Sequence, residues 1–334
     1  MLSDAAAVLE PAALFSTLDP CAGLLLAISG GPDSIALLHL AAAWRKEAQT
    51  PPVLAAATVD HGLRPGSAQE AEAVGAWCQS LGVAHKILVW TGDKPTTGIQ
   101  ARARRARYHL LFTHMVDIGA AALVTAHHAD DQWETVMMRL ARGSGIAGLS
   151  GMSRDQAFPG GRLVRPLLHA PKATLVDYCR RHGLAYFDDP SNEDPRFART
   201  GWRQLAPSLH RLGLTRARAA LLASRAEKCD RALAWSARRF GADVQISTES
   251  NVYDLSSATD APQAIVEYFL RDAVFKAAGA PPARLERLES LAGRLLEALQ
   301  AGVELRATLG GCTVTLNRRR RLKLALEPQR KRGG

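Results

Sequence analysis

Cysteine is scarce in this sequence of 334 residues, and its five copies are far apart. They are Cys21, Cys78, Cys179, Cys229 and Cys312. Because no Cys-x-x-Cys pair occurs, the sequence predicts neither a zinc site nor a disulfide framework. Long apolar runs are missing too, and no Lys or Arg precedes Arg45, so the basic start of a signal peptide is absent. We therefore expect a cytoplasmic protein.

The composition is that of a globular protein with an uneven charge distribution. Apolar residues make up 47% and charged residues 22%, and the length suits about two domains. The excess of basic residues lies entirely in residues 201–334, which hold 23 of the 42 Lys and Arg but 13 of the 32 Asp and Glu. This asymmetry predicts a polyanionic partner such as nucleic acid, and the alternative is a solvated basic surface.

A glycine pair between a strand-like run and a helix-like run is the strongest local pattern. The loop reads Ser29, Gly30, Gly31, Pro32, Asp33 and Ser34. Glycine backbone and the following helix N-terminus favour a bound phosphate, although an ordinary strand-to-helix turn remains the alternative. No Gly-Lys-Ser or Gly-Lys-Thr follows, which excludes the common NTPase loop. Asp33 then indicates either Mg²⁺ beside the phosphate or a helix cap.

Strands and helices alternate through the first half of the chain. Strand-like runs near residues 24–28, 53–59, 85–89 and 121–126 are separated by helical patterns, one of which opens with the capping-box string Ser67 to Glu70. This alternation predicts an α/β fold with a doubly wound parallel sheet, in which ligands bind beyond the carboxyl ends of the strands.

Polar strings follow three of these predicted strands. They are Ser29 to Ser34, Asp60-His61-Gly62 and His127 to Glu134. In the third string Asp131 and Glu134 lie three residues apart, so both carboxylates can share one helix face. They could bind Mg²⁺, receive an ammonium group or cap the helix, and the sequence leaves these three roles open.

Arginines lie on the predicted helix between the third and fourth strands. Arg104 and Arg107 are candidates for neutralising the negative charge of a phosphate group. Further on, residues 139–152 read as a mobile, glycine-dense loop, residues 165–168 as a short strand and residues 172–182 as a helix.

The pattern changes after Pro207. Helical runs cover about 209–240, 261–276 and 283–299, and residues 303–326 read as a hairpin around Gly310-Gly311 that ends in four arginines. We therefore predict one domain over residues 1–206 and, over 207–334, a basic helical connector with a small α+β domain suited to a nucleic-acid partner.

Together these strings resemble the tRNA(Ile)-lysidine synthase family of N-type ATP pyrophosphatases, enzymes with a PP-loop. The matching segments are residues 29–34, 59–64, 103–108, 125–135, 142–152, 165–168 and 189–192, in the order of the family. Thr200 and Gly201 depart from it, because the family tends to have Arg-Asn in this segment.

The resemblance implies a ligase reaction in two steps. ATP adenylates the wobble cytidine of tRNA(Ile) with the CAU anticodon, and lysine then displaces AMP to form lysidine. Expected cofactors are ATP and Mg²⁺. The resemblance assigns catalysis to Asp33, His127, Asp131 and Glu134, together with Arg104 and Arg107; Mg²⁺ to Asp33, Asp131 and Glu134; ATP to Ser29 through Ser34 and His61; and tRNA or lysine to Arg142, Asp189, Asn192, Arg199 and Arg203.

Two other functions remain open at this point. One is another PP-loop enzyme that modifies tRNA or amidates a substrate, although the scattered cysteines do not suit a thiolase. The other is a non-catalytic RNA-binding module. The sequence also leaves open whether the chain forms a homodimer.

Overall fold

The computed structural model describes residues 9–62, 66–92, 98–158, 160–188, 198–247, 251–279 and 284–327. The chain divides into two compact units. Unit 1 comprises Met1–Met138 and Gly151–Leu221, and unit 2 comprises Arg139–Ser150 and Leu222–Gly334. The functional division predicted at residues 206 and 207 remains a prediction.

Unit 1 contains a six-stranded sheet. Its strands are β1 (Gly23–Ala27), β2 (Val53–Asp60), β3 (Ala84–Val89), β4 (Ala122–Thr125), β5 (Asp155–Phe158) and β6 (Gly161–Val164). The strand order is β3-β2-β1-β4-β6-β5, and all neighbours are parallel except β5, which is antiparallel to β6. The predicted α/β class is confirmed, with one antiparallel edge strand added.

The strand predicted at residues 165–168 is wrong. Here the chain turns, with the Leu168 N–H bonded to the Arg165 carbonyl at 3.3 Å, and the strand lies earlier, over Gly161–Val164. Pro166 has no N–H to donate to a sheet, which explains why pairing stops at this point.

Helices connect and cover these strands. In chain order they are α1 (Pro11–Phe15), α2 (Pro32–Glu47), α3 (Ser67–Ser80), α4 (Ile99–Asp117), α5 (Ala129–Ala141), α6 (Ile146–Leu149), α7 (Lys172–Arg181), α8 (Ala198–Arg211) and α9 (Arg216–Val244). The helix predicted over 209–240 is thus two helices, and part of the predicted loop 139–152 is helical. None of the described helices is long and apolar enough to cross a membrane.

The capping box predicted at Ser67 is wrong. Gly66 occupies the N-cap position of α3 with φ of 88°, and Ser67 Oγ instead donates to Asp60 Oδ1 at 2.7 Å. A left-handed cap position suits glycine because it has no Cβ, so the helix starts one residue earlier than a serine cap would allow.

Both faces of the unit 1 sheet are buried. Leu24 and Leu26 of β1 pack in one apolar cluster with α2, whereas Leu25 packs on the other face with Leu111 and Met115 of α4. Successive strand residues point to opposite faces, so the continuous Leu-Leu-Leu run fits a strand covered on both sides.

Unit 2 contains a four-stranded antiparallel sheet and two further helices. Its elements are β7 (Val252–Asp254), α10 (Gln263–Ala278), α11 (Leu285–Ala301), β8 (Leu305–Leu309), β9 (Cys312–Leu316) and β10 (Arg321–Leu326). The strand order is β7-β10-β9-β8, with β8 and β9 joined at Gly310-Gly311 as predicted.

The position of β1 determines where a ligand can bind in unit 1. β1 is paired with β2 on one side and with β4 on the other, because the chain runs outward from β1 through β2 to β3 and then crosses back to β4. In open α/β sheets such a point creates a crevice beyond the carboxyl ends of the two strands. The loops after β1 and β4 meet at this crevice.

Candidate active site

The loop after β1 is held in shape by its two serines. Ser34 Oγ donates to the Gly31 carbonyl at 2.9 Å and accepts a hydrogen bond from the Ser29 N–H at 3.2 Å. Gly31 is the N-cap residue and Pro32 the first residue of α2. The loop therefore presents the positive end of a 16-residue helix, where an anion is stabilised.

Gly30 is required by its surroundings as well as by its backbone. Its φ is 87°, and a Cβ there would lie 3.0 Å from the Phe187 ring and 3.2 Å from Val74. The Gly30 carbonyl also accepts a hydrogen bond from the Phe187 N–H at 2.9 Å. The segment that precedes residue 189 is therefore attached to the loop.

Asp33 faces the crevice from the first turn of α2. Its Oδ1 is buried and has no hydrogen-bond partner, while Oδ2 lies 3.4 Å from His128 Nε2. The N-cap of α2 makes no side-chain capping bond, so the structure gives no support to the capping alternative. A buried carboxylate oxygen without a partner fits a site that completes its interactions with a cation or a donor.

His128 and Asp131 cap the start of α5 reciprocally. Asp131 Oδ2 accepts from the His128 N–H at 3.2 Å, and His128 Nδ1 accepts from the Asp131 N–H at 3.4 Å. Burial lowers the pKa of His128, but the hydrogen bond to Asp33 and the charges of Asp131, Asp33 and Asp130 outweigh it, so its pKa is raised. The capping role that the sequence left open for Asp131 is thus present, and Glu134 has a different partner.

His127 is held neutral. Burial lowers its pKa to about 3, opposed by Asp131 and assisted by the positive charges of Arg165, Arg107 and Arg104. Its Nδ1 lies 2.8 Å from Thr125 Oγ1. The predicted pair Arg104 and Arg107 is therefore close enough to influence the charge of His127, the second residue after β4.

Glu134 forms an ion pair with Arg203. The Glu134 side chain is almost completely buried, and its Oε1 lies 2.6 Å from Arg203 Nε. Arg203 reaches Glu134 although Thr200 and Gly201 depart from the family pattern. Thr200 is buried within α8, and a Cβ at Gly201 would meet no atom within 4 Å.

A cavity of about 210 Å³ opens beside this ion pair. It is lined by Asp130, Trp133, Glu134, Arg203, Ala206, Pro207, His210 and Arg216. Two acids and two arginines of this lining form pairs across it, since Arg216 Nε lies 2.5 Å from Asp130 Oδ1. A ligand with one positive and one negative group could replace these ion pairs, its cation binding the acids and its anion the arginines.

Other predicted site residues are placed differently or lie outside the described part. The His61 ring packs edge-on against Trp90 at the end of β2, with ring centroids 5.8 Å apart. Arg142 belongs to unit 2. Asp189, Asn192 and the Arg199 side chain lie outside the described residues.

Sequence reasoning missed several contributors. They are Asp130, Trp133, Arg165, His210 and Arg216. Asp130 lies beside the predicted Asp131, and Arg165 lies within a segment that matches the family. The sequence could therefore have indicated these two as site residues. His210 and Arg216 reach the cavity through the fold alone.

Within the described residues, no group of three or more His, Cys, Asp or Glu side chains is arranged to hold a metal ion by itself. This does not conflict with Mg²⁺, which binds typically through one or two carboxylates, substrate phosphates and water.

Comparisons with known proteins agree with this geometry. A PP-loop domain model matches residues 8–209. The tRNA(Ile)-lysidine synthase of Methylobacterium nodulans is 46% identical over 93% of this chain and 92% of its own length. That of Rhodopseudomonas palustris is 40% identical over 98% of both chains.

A solved structure shows the same fold. The U34-tRNA thiolase NcsA of Methanococcus maripaludis, a protein with a [4Fe-4S] cluster, superposes with a TM-score of 0.55 over 65% of this chain and 77% of its own. Its sequence identity is 18%, so this likeness concerns the fold alone.

Proposed function

The chain belongs to the tRNA(Ile)-lysidine synthase family, and on that premise we propose that it forms lysidine on tRNA(Ile). In the first step O2 of the wobble cytidine attacks the α-phosphorus of ATP and pyrophosphate leaves. In the second step the lysine amine attacks C2, loses a proton and displaces AMP. The observation that carries the proposal is the similarity to relatives of that name along 93% or more of the chain.

The family implies ATP use, and the loop after β1 is suited to its phosphates. Gly30 and Gly31 let the backbone approach the pyrophosphate part, and the start of α2 stabilises its charge. Asp33, whose Oδ1 is buried without a partner, would hold Mg²⁺ together with Asp131. The ion would neutralise charge on the phosphate oxygens.

Three residues near the end of β4 suit the departure of pyrophosphate. Arg104 and Arg107 supply fixed positive charge where negative charge develops. His127 stays neutral because its pKa is about 3, so it can accept or donate one hydrogen bond without adding charge.

The cavity beside Glu134 is suited to lysine. Its volume of 210 Å³ is below the roughly 300 Å³ typical of drug-sized ligands, which favours a single amino acid. Asp130 and Glu134 match the ammonium groups, and Arg203 and Arg216 match the α-carboxylate. A tRNA substrate also accords with the cytoplasmic location that the sequence predicts.

An ATP–pyrophosphate exchange assay with and without tRNA(Ile), followed by nucleoside analysis of the tRNA, tests the reaction. We expect exchange that depends on tRNA and lysidine that depends on lysine. Asp33→Asn and Asp131→Asn should each lower turnover on the order of 10²-fold or more, whereas Asp177→Asn, at an exposed position of α7, should not. Near-normal turnover by both site variants would contradict the assignment of Mg²⁺ to Asp33 and Asp131.

Replacing lysine by ornithine, arginine or norleucine tests the amine donor. A site that pairs a buried carboxylate with an ammonium group discriminates strongly against an analogue that lacks it. We expect norleucine to give no product and Glu134→Gln to raise the KM for lysine more than that for ATP. Efficient use of norleucine would contradict the proposal that the cavity recognises the side-chain ammonium group of lysine.

A further inference from the structure

One face of α9 within unit 2 carries a tryptophan among four cations. At 100° per residue, positions 228, 231, 235, 238 and 239 fall on one side of the helix. These residues are Lys228, Arg231, Trp235, Arg238 and Arg239, all of them exposed, and we call this set the α9 stripe. The stripe contains no acidic residue.

The opposite side of α9 is the buried one. Ala237 and Val244 are 2% and 4% exposed and belong to the apolar core of unit 2. Packing of α9 therefore fixes which way the stripe points, namely away from that core. Its cations are not needed to hold the helix in place.

Trp235 is unusual among the tryptophans of the chain. It is 59% exposed, whereas Trp44 and Trp133 are each 3% exposed. The Arg239 guanidinium carbon lies 5.8 Å from its ring centroid, which leaves a large aromatic surface flanked by positive charge. An exposed aromatic ring of this size offers a flat apolar face on which a planar group can stack.

Acids near the stripe do not neutralise it. In the described part of the chain, the four cations form no ion pair. Asp230, which lies on the same helix, accepts a hydrogen bond from Tyr268 Oη at 2.7 Å and is directed away from the stripe. Glu227 and Asp243 lie one turn of α9 from Arg231 and Arg239 without forming an ion pair among the described residues, and the four cations outnumber these two acids. The remaining positive charge is complementary to a phosphate backbone.

We propose that the α9 stripe binds the tRNA, with Trp235 stacking on an unpaired nucleobase and its four cations contacting the neighbouring phosphates. Aromatic side chains bind exposed bases by stacking, and cations on either side track the backbone. This inference rests on the proposed function, because it names the surface that would hold its RNA substrate.

Binding of the full-length protein to a tRNA(Ile) transcript tests the stripe. Trp235→Ala should weaken binding on the order of tenfold, and Trp235→Phe should restore most of it because stacking is retained. Phe275→Ala is the matched control, since Phe275 is 55% exposed on α10 and lies off the stripe. Equal affinities of Trp235→Ala and wild type would overturn the stacking contact.

The cations are tested by salt titration. Each of Arg231→Gln and Arg238→Gln should reduce the slope of log K against log salt by about 1, whereas Arg287→Gln on α11 should leave it unchanged. An unchanged slope in the stripe variants, or an equal change in the control, would overturn the phosphate contacts.

Two further outcomes separate this inference from its rivals. If the wild type is a dimer that Trp235→Ala converts to a monomer, the stripe joins two copies of the chain and the inference fails. Where the wild type makes lysidine, the stripe variants should raise the KM for tRNA with kcat preserved. Wild-type protein that binds tRNA through the stripe but makes no lysidine would refute the proposed function alone.

Discussion

The pair Glu134 and Arg203 connects helices that are far apart in sequence. Sequence analysis named both residues but could not pair them, because 69 positions separate them and only the fold brings Arg203 Nε to 2.6 Å from Glu134 Oε1. The same analysis assigned Glu134 to Mg²⁺ or an ammonium group. The structure adds an arginine partner that either ligand would have to share.

Arg203→Ala should destabilise the protein by about 3 kcal/mol, because it leaves a buried carboxylate without this partner. Arg211→Ala is the control, since Arg211 lies on the same helix and is exposed. Chemical denaturation measures both free energies of unfolding. Similar values for the two variants would show that the pair contributes little.

His127 should make the stability of the protein depend on pH. Its pKa is about 3 in the folded chain and 6.5 ordinarily, so the unfolded chain binds more protons between these values. The contribution is complete above pH 6.5 and is lost as the pH falls toward 3.

The free energy of unfolding should therefore fall less between pH 7.5 and 5.5 (roughly one unit to either side of the ordinary histidine pKa) in His127→Gln than in the wild type. His109→Gln, at an exposed position of α4, is the control and should follow the wild type. A His127→Gln curve parallel to that of the wild type would contradict the depressed pKa.

At the scale of elements, α5 positions the start of α9. Sequence periodicity predicts an apolar face of α5 made of Trp133, Val136, Met137 and Leu140; the first three are buried, whereas Leu140 is 48% exposed, so the prediction is wrong for Leu140. It did not predict that Trp133 Nε1 donates to the Leu214 carbonyl at 2.7 Å, in the turn between α8 and α9. Propensity favoured one long helix there, and Gly213, with φ of 94°, interrupts it.

Trp133→Phe keeps the ring packing but removes this donor. We expect a loss of about 1–2 kcal/mol in the free energy of unfolding and a higher KM for lysine, because Trp133 lines the proposed lysine cavity. Trp77→Phe on α3, away from that cavity, should leave the KM unchanged. An unaltered KM for lysine in Trp133→Phe would show that the hydrogen bond to the turn between α8 and α9 does not affect lysine binding.

For the whole molecule, sequence analysis predicted the alternating α/β part more completely than the rest. Strand spacing and polar strand ends located the crevice, because parallel strands place their carboxyl ends on one edge. The edge strand β5 was missed, since Asp155–Phe158 is short and polar and is recognisable only by its pairing with β6. The boundaries of the compact units at residues 138, 150 and 221 follow from contacts within the folded chain, whereas the functional division at residues 206 and 207 stays a prediction.

The charge asymmetry yields a prediction for the complete chain. With all ten excess positive charges in residues 201–334, tRNA affinity should fall steeply with salt, with a slope of about −3 or steeper in log K against log salt. ATP affinity without tRNA, measured in the same buffers, is the internal control and should change much less. A flat titration with tRNA would mean that the basic excess is only a solvated surface.

The central place of β1 also has a consequence for biosynthesis. β1 pairs with β4 through Leu24 and Ala122, about 100 positions apart, so one edge of this apolar strand stays open until β4 has left the ribosome. Nascent chains that stall before residue 125 therefore expose an unpaired Leu-Leu-Leu edge, to which other chains can add. During that interval β1 needs protection by chaperones.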